Sequence, residues 1–255
     1  MKQSLVIVIP IYSSTLTEDE ERSANRLRLL CTNEDICVVA PEGLSLPSLL
    51  QGYRTERFES AYFDGIQGYN RLMMSELFYK RFATYEYMLI YQLDAFLFRN
   101  DLADWCDKGY DYVGAPWLVK HKYEGWGKCL LWLRSLPRKL QGKPFLAIDF
   151  ANKVGNGGLS LRKVASFMQV CHTQAPLMAQ WIERSSFCRE YNEDCFWATR
   201  EGWSYPSAEE ALRFSFDLAP QEAYRRNGKQ LPTGCHGWSK PQYRNFWFPI
   251  IESCK

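Results

Sequence analysis

Residues 87–98 read YMLIYQLDAFLF, a run apolar enough to be a buried strand, with one carboxylate, Asp94, near its end. An ionised carboxylate taken unpaired into a core costs many kcal/mol, so such a group is paired, neutralised or at an edge. A strand that ends on it points to a site at the sheet boundary.

The flanking sequence supports a layered fold. SLVIVIPIY (4–12) predicts a buried first strand that breaks at Pro10. TEDEERSANRLRLLCTN predicts a helix, with Thr17 and Glu20 in capping-box spacing and an apolar face through Leu27, Leu30 and Cys31. DICVVAPE (35–42) predicts a second strand. DGIQGYNRLMMSELFYKRF predicts an amphipathic helix with Ile66, Tyr69, Met73 and Leu77 on its apolar face. Strands alternating with helices indicate an α/β domain with a mixed, largely parallel sheet flanked by helices. Ligands gather beyond the carboxyl ends of such strands, where Asp94 falls.

The second half is less regular. YDYVGAPW (110–117) predicts a strand entering a turn, and VGNGGLSLRK (154–163) a glycine-rich turn followed by an alternating strand. YNEDCFWATREGW predicts a helix with acids in its first turn, where the dipole favours them. The terminal LPTGCHGWSKPQYRNFWFPI reads as irregular. No repeat or linker divides the chain, so one domain over residues 1–255 is expected.

Composition narrows the partners. With 31 basic and 29 acidic residues the net charge is +2, which gives no ground for expecting nucleic acid. Nine cysteines without C-x-x-C spacing read as reduced thiols of a cytoplasmic protein. Pro10 and the lack of a small-residue cleavage pattern argue against a signal peptide, and no run approaches the roughly 18 apolar residues of a membrane span. Lys120, Lys122, Lys128, Arg134, Arg138, Lys139 and Lys143 stand against Glu124 alone, interleaved with Trp126 and Trp132. The stretch 120–143 reads as a solvated helix or loop, or as a peripheral contact with the inner face of a membrane.

Few residues are available for chemistry. Of three histidines, His121 lies in the basic stretch and His172 at a helix C-terminus, whereas His236 in TGCHGWSK is flanked by glycines that admit close approach. Candidate carboxylates are Asp94, Asp111, Asp149, Glu193, Asp194 and Asp217. Glu193 and Asp194 suit helix capping, yet the following CFW places at least one beside apolar surface, where a raised pKa serves a general base. No P-loop, G-x-G-x-x-G, G-x-S-x-G or H-E-x-x-H motif is present, which counts against nucleotide-phosphate loops, α/β-hydrolases and common zinc proteases.

Taken in order, VIPIY, YMLIYQLDAFLF, YDYVGAPW, VGNGGLSLR, NEDCFW and GCHGWSKP resemble glycosyltransferases of the GT-A class. They look most like a family of domains of unknown function found among polysaccharide-biosynthesis genes. The resemblance implies a single Rossmann-like α/β domain that moves a sugar from a nucleoside-diphosphate donor, UDP favoured, to a glycan or lipid-linked acceptor. It also implies a divalent metal, Mn²⁺ or Mg²⁺. The D-x-D motif of the class reads Gln92-Leu93-Asp94 here. Asp94 and His236 are the implied metal ligands, and Gln92 takes the sugar or ribose contact of the first acid. Lys240 is implied at the diphosphate, Asp194 as catalytic base of an inverting transfer, and Glu193 as its reserve. Pro10, Ile11 and Tyr12 lie where the nucleobase is held, with Asn70 and Arg71 as further nucleotide contacts. Asn156, Gly157 and Gly158 would border donor sugar and acceptor, and Trp117 and Trp238 would stack on a sugar face.

Other readings stay open at this stage. Gln92 in place of an acid fits a sugar- or nucleotide-binding module without catalysis, and HGWSKP is similar to retaining relatives as well. A metal-dependent phosphodiesterase or nucleotidyltransferase is disfavoured by the few metal ligands available.

Overall fold

A computed structural model of the chain describes residues 3–119, 125–127, 129–130, 132–133, 136–137 and 149–254. His121 and most of the basic stretch 120–143 lie outside the described residues. The strands are β1 (Gln3–Pro10), β2 (Asp35–Pro41), β3 (Arg54–Phe58), β4 (Tyr85–Tyr91), β5 (Ala95–Leu97), β6 (Tyr112–Val113), β7 (Leu159–Lys163), β8 (Ser215–Phe216) and β9 (Gly234–His236). The helices used below are α1 (Glu18–Leu30), α2 (Gly65–Met73), α3 (Glu76–Lys80), α4 (Leu102–Asp107), α5 (Val164–Thr173), α6 (Ala175–Ser185), α7 (Glu193–Trp197), α8 (Ala208–Phe214), α9 (Pro220–Arg226) and α10 (Pro241–Glu252).

The main sheet has the order β3-β2-β1-β4-β7-β6. Its first four strands are parallel, and β7 runs antiparallel to both β4 and β6. Strand side chains alternate between faces, and both faces are covered. Ile7, Ile9, Leu89 and Tyr91 pack with Leu27 of α1 and Leu102 of α4, whereas Val6, Val8, Met88 and Ile90 pack with α2, α3, α5 and α7. Double coverage explains why β1, β2 and β4 are continuous apolar runs. The capping box at the start of α1 forms as its sequence predicts: Thr17 N–H donates to Glu20 at 2.7 Å and Thr17 Oγ1 accepts from Glu20 N–H at 3.3 Å.

Three local expectations change. The single helix over 64–82 is two: the Ser75 hydroxyl accepts from Phe78 N–H at 3.2 Å and so caps a new helix, α3. The buried face is then Gly68, Leu72, Met73, Phe78 and Tyr79, while Ile66 and Leu77 are 65% and 46% exposed. β7 does not alternate with solvent, because Arg162 is fully buried and satisfied. Its guanidinium donates to Ser160 Oγ at 3.0 Å, Tyr79 Oη at 2.8 Å and Glu193 Oε1 at 3.1 Å. The C-terminal segment is not irregular throughout. Pro241 opens helix α10, where a missing N–H is harmless, and Trp247 and Ile251 of that helix join a third core with Phe96, Phe216 and Trp238.

A second sheet, order β5-β9-β8, carries that third core. Its strands are only two or three residues long, but its register is specific. Ala95 pairs with His236 across an antiparallel step, and Phe216 pairs with Cys235 across a parallel one. Among the described residues no helix is long and apolar enough to cross a membrane.

The Arg162–Glu193 pair generates a stability prediction. Arg162→Ala leaves a buried carboxylate without its counter-charge, and urea denaturation should show a loss of about 3–5 kcal/mol.

Candidate functional site

The second sheet assembles three chemistry-bearing residues at one edge. Asp94 immediately precedes β5, His236 ends β9 and Asp217 immediately follows β8. Because β5 is antiparallel and β8 parallel to β9, all three fall side by side. His236 Nε2 lies 3.1 Å from Asp94 Oδ1, and its Nδ1 lies 3.2 Å from Asp217 Oδ1. The backbone ties this corner together: Asp94 C=O accepts from Gly237 N–H at 2.9 Å, and Gly158 C=O accepts from Gln92 N–H at 2.9 Å.

Electrostatics follow from that packing. Burial would lower the His236 pKa, but the Asp94 and Asp217 carboxylates outweigh it and raise the ring to about 9. Burial would raise Asp94, but His236 and then Lys240 hold it below the ordinary carboxylate value. Asp194 is half-buried and shifted upward by burial, against the Cys195 N–H that its own Oδ1 accepts at 2.8 Å, with Asp217 adding to the rise.

A cavity of about 440 Å³ opens beside Asp94. Pro10, Ile11 and Tyr12 line one wall, Tyr62, Phe63, Ile66 and Tyr69 another, and Gln92, Leu93 and Asp94 the floor. Its charged lining residues are Glu20 and Asp94, both acidic. Two cationic groups, His236 and Lys240, stand at the Asp94 corner.

The residues expected at the site fall into separate groups. Pro10, Ile11, Tyr12, Gln92 and Asp94 border the cavity, and His236 and Lys240 adjoin its floor. Asn156, Gly157 and Gly158 form a pinned loop beside it. Tyr112 Oη accepts from Asn156 N–H at 3.0 Å, Gly157 C=O accepts from Tyr69 Oη at 3.2 Å, and Asn156 Oδ1 accepts from Gly158 N–H at 2.8 Å. The room that Gly157 and Gly158 leave is taken by the protein itself: a Cβ on Gly157 would strike the Glu193 carboxylate, and one on Gly158 the His236 ring. Trp117 lies on the neighbouring loop with its ring against Gly155, and Arg71 donates to Ala61 C=O at 2.8 Å.

Three expected roles need correction. Glu193, the reserve base, is 2% exposed and paired with Arg162, and burial pushes its pKa up to about 7 against that pairing. It supports the loop from beneath rather than facing an acceptor. Asn70, expected at the nucleotide, is buried: it donates to Asn192 Oδ1 at 3.1 Å and accepts from Glu193 N–H at 3.1 Å, fixing the start of α7. Trp238 cannot stack on a sugar, because its indole is 0% exposed and donates to Ser23 Oγ at 3.0 Å. Of the other candidates, Asp111 accepts from Ser204 N–H at 2.8 Å, Asp149 is exposed, and His172 meets Glu76 at 3.4 Å on the surface.

Sequence reasoning missed two residues. Tyr69 was assigned to an apolar helix face, yet its hydroxyl links the cavity wall to Gly157. Asp217 stood among the candidate carboxylates without a role. Its signal, an acid directly after a two-residue strand, is too short to read before the topology is known.

The corner also meets a test of fit for a divalent ion. Asp94 and His236 offer one carboxylate oxygen and one imidazole nitrogen within 3.1 Å of each other, a donor pair that suits Mn²⁺ or Mg²⁺ completed by water and phosphate oxygens. Among the described residues no three His, Cys, Asp or Glu side chains are grouped to hold a metal ion, so Asp94 and His236 are the two side chains that would hold one at this corner.

Comparison with known proteins agrees with this architecture. The family model described as "Protein of unknown function (DUF5672)" matches residues 52–236. No curated protein matches the chain. Among solved structures, galactosyltransferase LgtC in complex with donor and acceptor sugar analogs is 13% identical with a TM-score of 0.58, covering 98% of this chain and 94% of LgtC. Mouse xyloside xylosyltransferase 1, in its apo form, is 10% identical with a TM-score of 0.53, covering 93% and 98% of the two chains. The fold is that of the GT-A glycosyltransferases.

The packing of Gly158 on His236 is directly testable. In Gly158→Ala the added methyl displaces the imidazole, and a crystal structure should show an intact main sheet with the His236–Asp94 contact broken.

Proposed function

The chain belongs to the DUF5672 family, and from that premise we propose that it is a metal-dependent glycosyltransferase that uses a nucleoside-diphosphate sugar. One observation carries the reading: in a GT-A fold, Asp94, on the floor of a cavity whose charged lining is acidic, meets His236 at 3.1 Å. A diphosphate entering that cavity meets Glu20 and Asp94, so its negative charge needs cations at the Asp94 corner. When bound there, a divalent ion offsets the charge that builds on the departing nucleoside diphosphate.

The protein's own residues divide the remaining work. Tyr12, 72% exposed at the cavity mouth, offers a ring for the nucleobase, with Pro10 and Ile11 behind it. Lys240, close enough to lower the Asp94 pKa, adds a second cation toward the diphosphate. The loop 156–158, held by Tyr112, Tyr69 and Gln92, gives the sugar a fixed backbone surface. Asp194, with its pKa raised by burial, takes the acceptor hydroxyl's proton, and transfer proceeds with inversion. The acceptor is a glycan or lipid-linked sugar of polysaccharide biosynthesis, and UDP is the favoured nucleotide.

Thermal shift with UDP, GDP, CDP and TDP is the first experiment. One nucleotide should raise the melting temperature only with Mn²⁺, by the equivalent of about 2.7 kcal/mol at 100 Kd, and Asp94→Ala should abolish the effect. A melting temperature unmoved by every nucleotide with Mn²⁺ would overturn the reading. With a donor identified, Asp194→Asn should keep nucleotide binding and lose at least about 100-fold in turnover. NMR of the product should show inversion; the donor's anomeric configuration in the product would remove Asp194 from the role of base.

A further inference from the structure

The proposed metal corner leaves one acid without an assignment. Asp217 follows β8, and its Oδ1 lies 3.2 Å from His236 Nδ1, on the far side of the ring from Asp94. Both side chains are 13% exposed, so the contact is largely shielded from water. The two ring nitrogens diverge, so groups bonded to each cannot close on one ion. Asp217 therefore stands behind the imidazole. A carboxylate accepts and does not donate when ionised, so the hydrogen in this contact belongs to Nδ1. Asp94 faces Nε2 in the same way, so the metal-free ring carries a hydrogen on each nitrogen; an ion at Nε2 would replace the hydrogen there and leave the one that Asp217 holds on Nδ1.

We infer that Asp217 is a positioning residue: by accepting the Nδ1 hydrogen it fixes the tautomer and rotation of His236 and aims Nε2 at Asp94. The inference rests on the metal-dependent reading proposed above. Its physical content is that of a carboxylate behind a ligating histidine, which orients the ring and strengthens it as a donor. The register supports the geometry. β8 and β9 pair through Ser215–Gly234 and Phe216–Cys235, and the next residues along are Asp217 and His236. The Gly158 backbone closes the ring's other side, so the imidazole is held by an acid at one end and by packing along its face.

The experiment is a Mn²⁺ titration followed by electron paramagnetic resonance on wild-type protein, Asp217→Asn, Asp217→Ala and His236→Ala. Circular dichroism confirms that each variant is folded. Asp217→Ala should weaken Mn²⁺ binding about 10- to 100-fold. Asp217→Asn has the same shape, and its amide oxygen still accepts from Nδ1, so it should recover much of the affinity. The ¹⁵N resonances of the His236 ring, read in Mg²⁺-loaded protein, should report one tautomer in wild type and Asp217→Asn and a mixture in Asp217→Ala. Wild-type Mn²⁺ affinity and an unchanged ring signature in Asp217→Ala would overturn the inference while leaving the proposed function standing. Wild-type protein that binds no Mn²⁺ would overturn the metal-dependent reading and the inference together.

Discussion

The pairing of β9 between β5 and β8 is the interaction on which the candidate site depends. Those strands are too short to be stable alone. They hold because Phe96, Phe216 and Cys235 carry their side chains into a core closed by Trp238, Trp247 and Ile251. The apolar packing of the last 20 or so residues therefore acts on the chemistry at a distance. A one-residue slip in a strand turns every side chain to the other face, and here it would separate Asp94 from His236. Trp238 serves in this way: its indole anchors the chain directly after His236 to Ser23 of α1.

A second layer of constraint lies beneath the loop 156–158. Arg162, fully buried, is tolerable only because Glu193, Tyr79 and Ser160 satisfy it. Glu193 is in turn fixed at its backbone by Asn70 and fills the space under Gly157. Buried ion pairs of this kind seldom add much net stability over apolar packing. What this one provides is position: it links β7, α2 and the start of α7, so that the acid helix bearing Asp194 and the glycine loop keep a fixed relation.

Much of the main sheet is legible in the sequence, because long doubly buried strands leave continuous apolar runs and the Thr17 capping box leaves a local signature. β3 is not legible: RTERF is polar, as suits an edge strand. The β5-β9-β8 sheet is not legible either, since two or three residues carry no period. The same gap explains the site. Asp94 and His236 stand out as residues, but their meeting depends on a register between positions 95 and 236. Trp238 and Asn70 misled for a related reason. An aromatic among glycines and an Asn on an amphipathic helix look exposed locally, and only tertiary packing buries them.

Gln92 occupies the place of an acid in the motif, and its surroundings give a reason that does not require loss of function. Tyr69 has one hydroxyl hydrogen, and it goes to Gly157 C=O. The oxygen therefore turns its lone pairs elsewhere; burial raises the Tyr69 pKa, and Gln92, on the same cavity lining, lies close enough to act against that rise. A side chain facing those lone pairs suits them as a donor, which an amide provides and an ionised carboxylate does not. An acid there would face Tyr69 acceptor to acceptor and add negative charge beside Asp94, in a cavity that already holds Glu20. The Gln92 backbone N–H already ties the 92–94 turn to Gly158 of the glycine loop, so Gln92 fits a working site built around one acid and one imidazole.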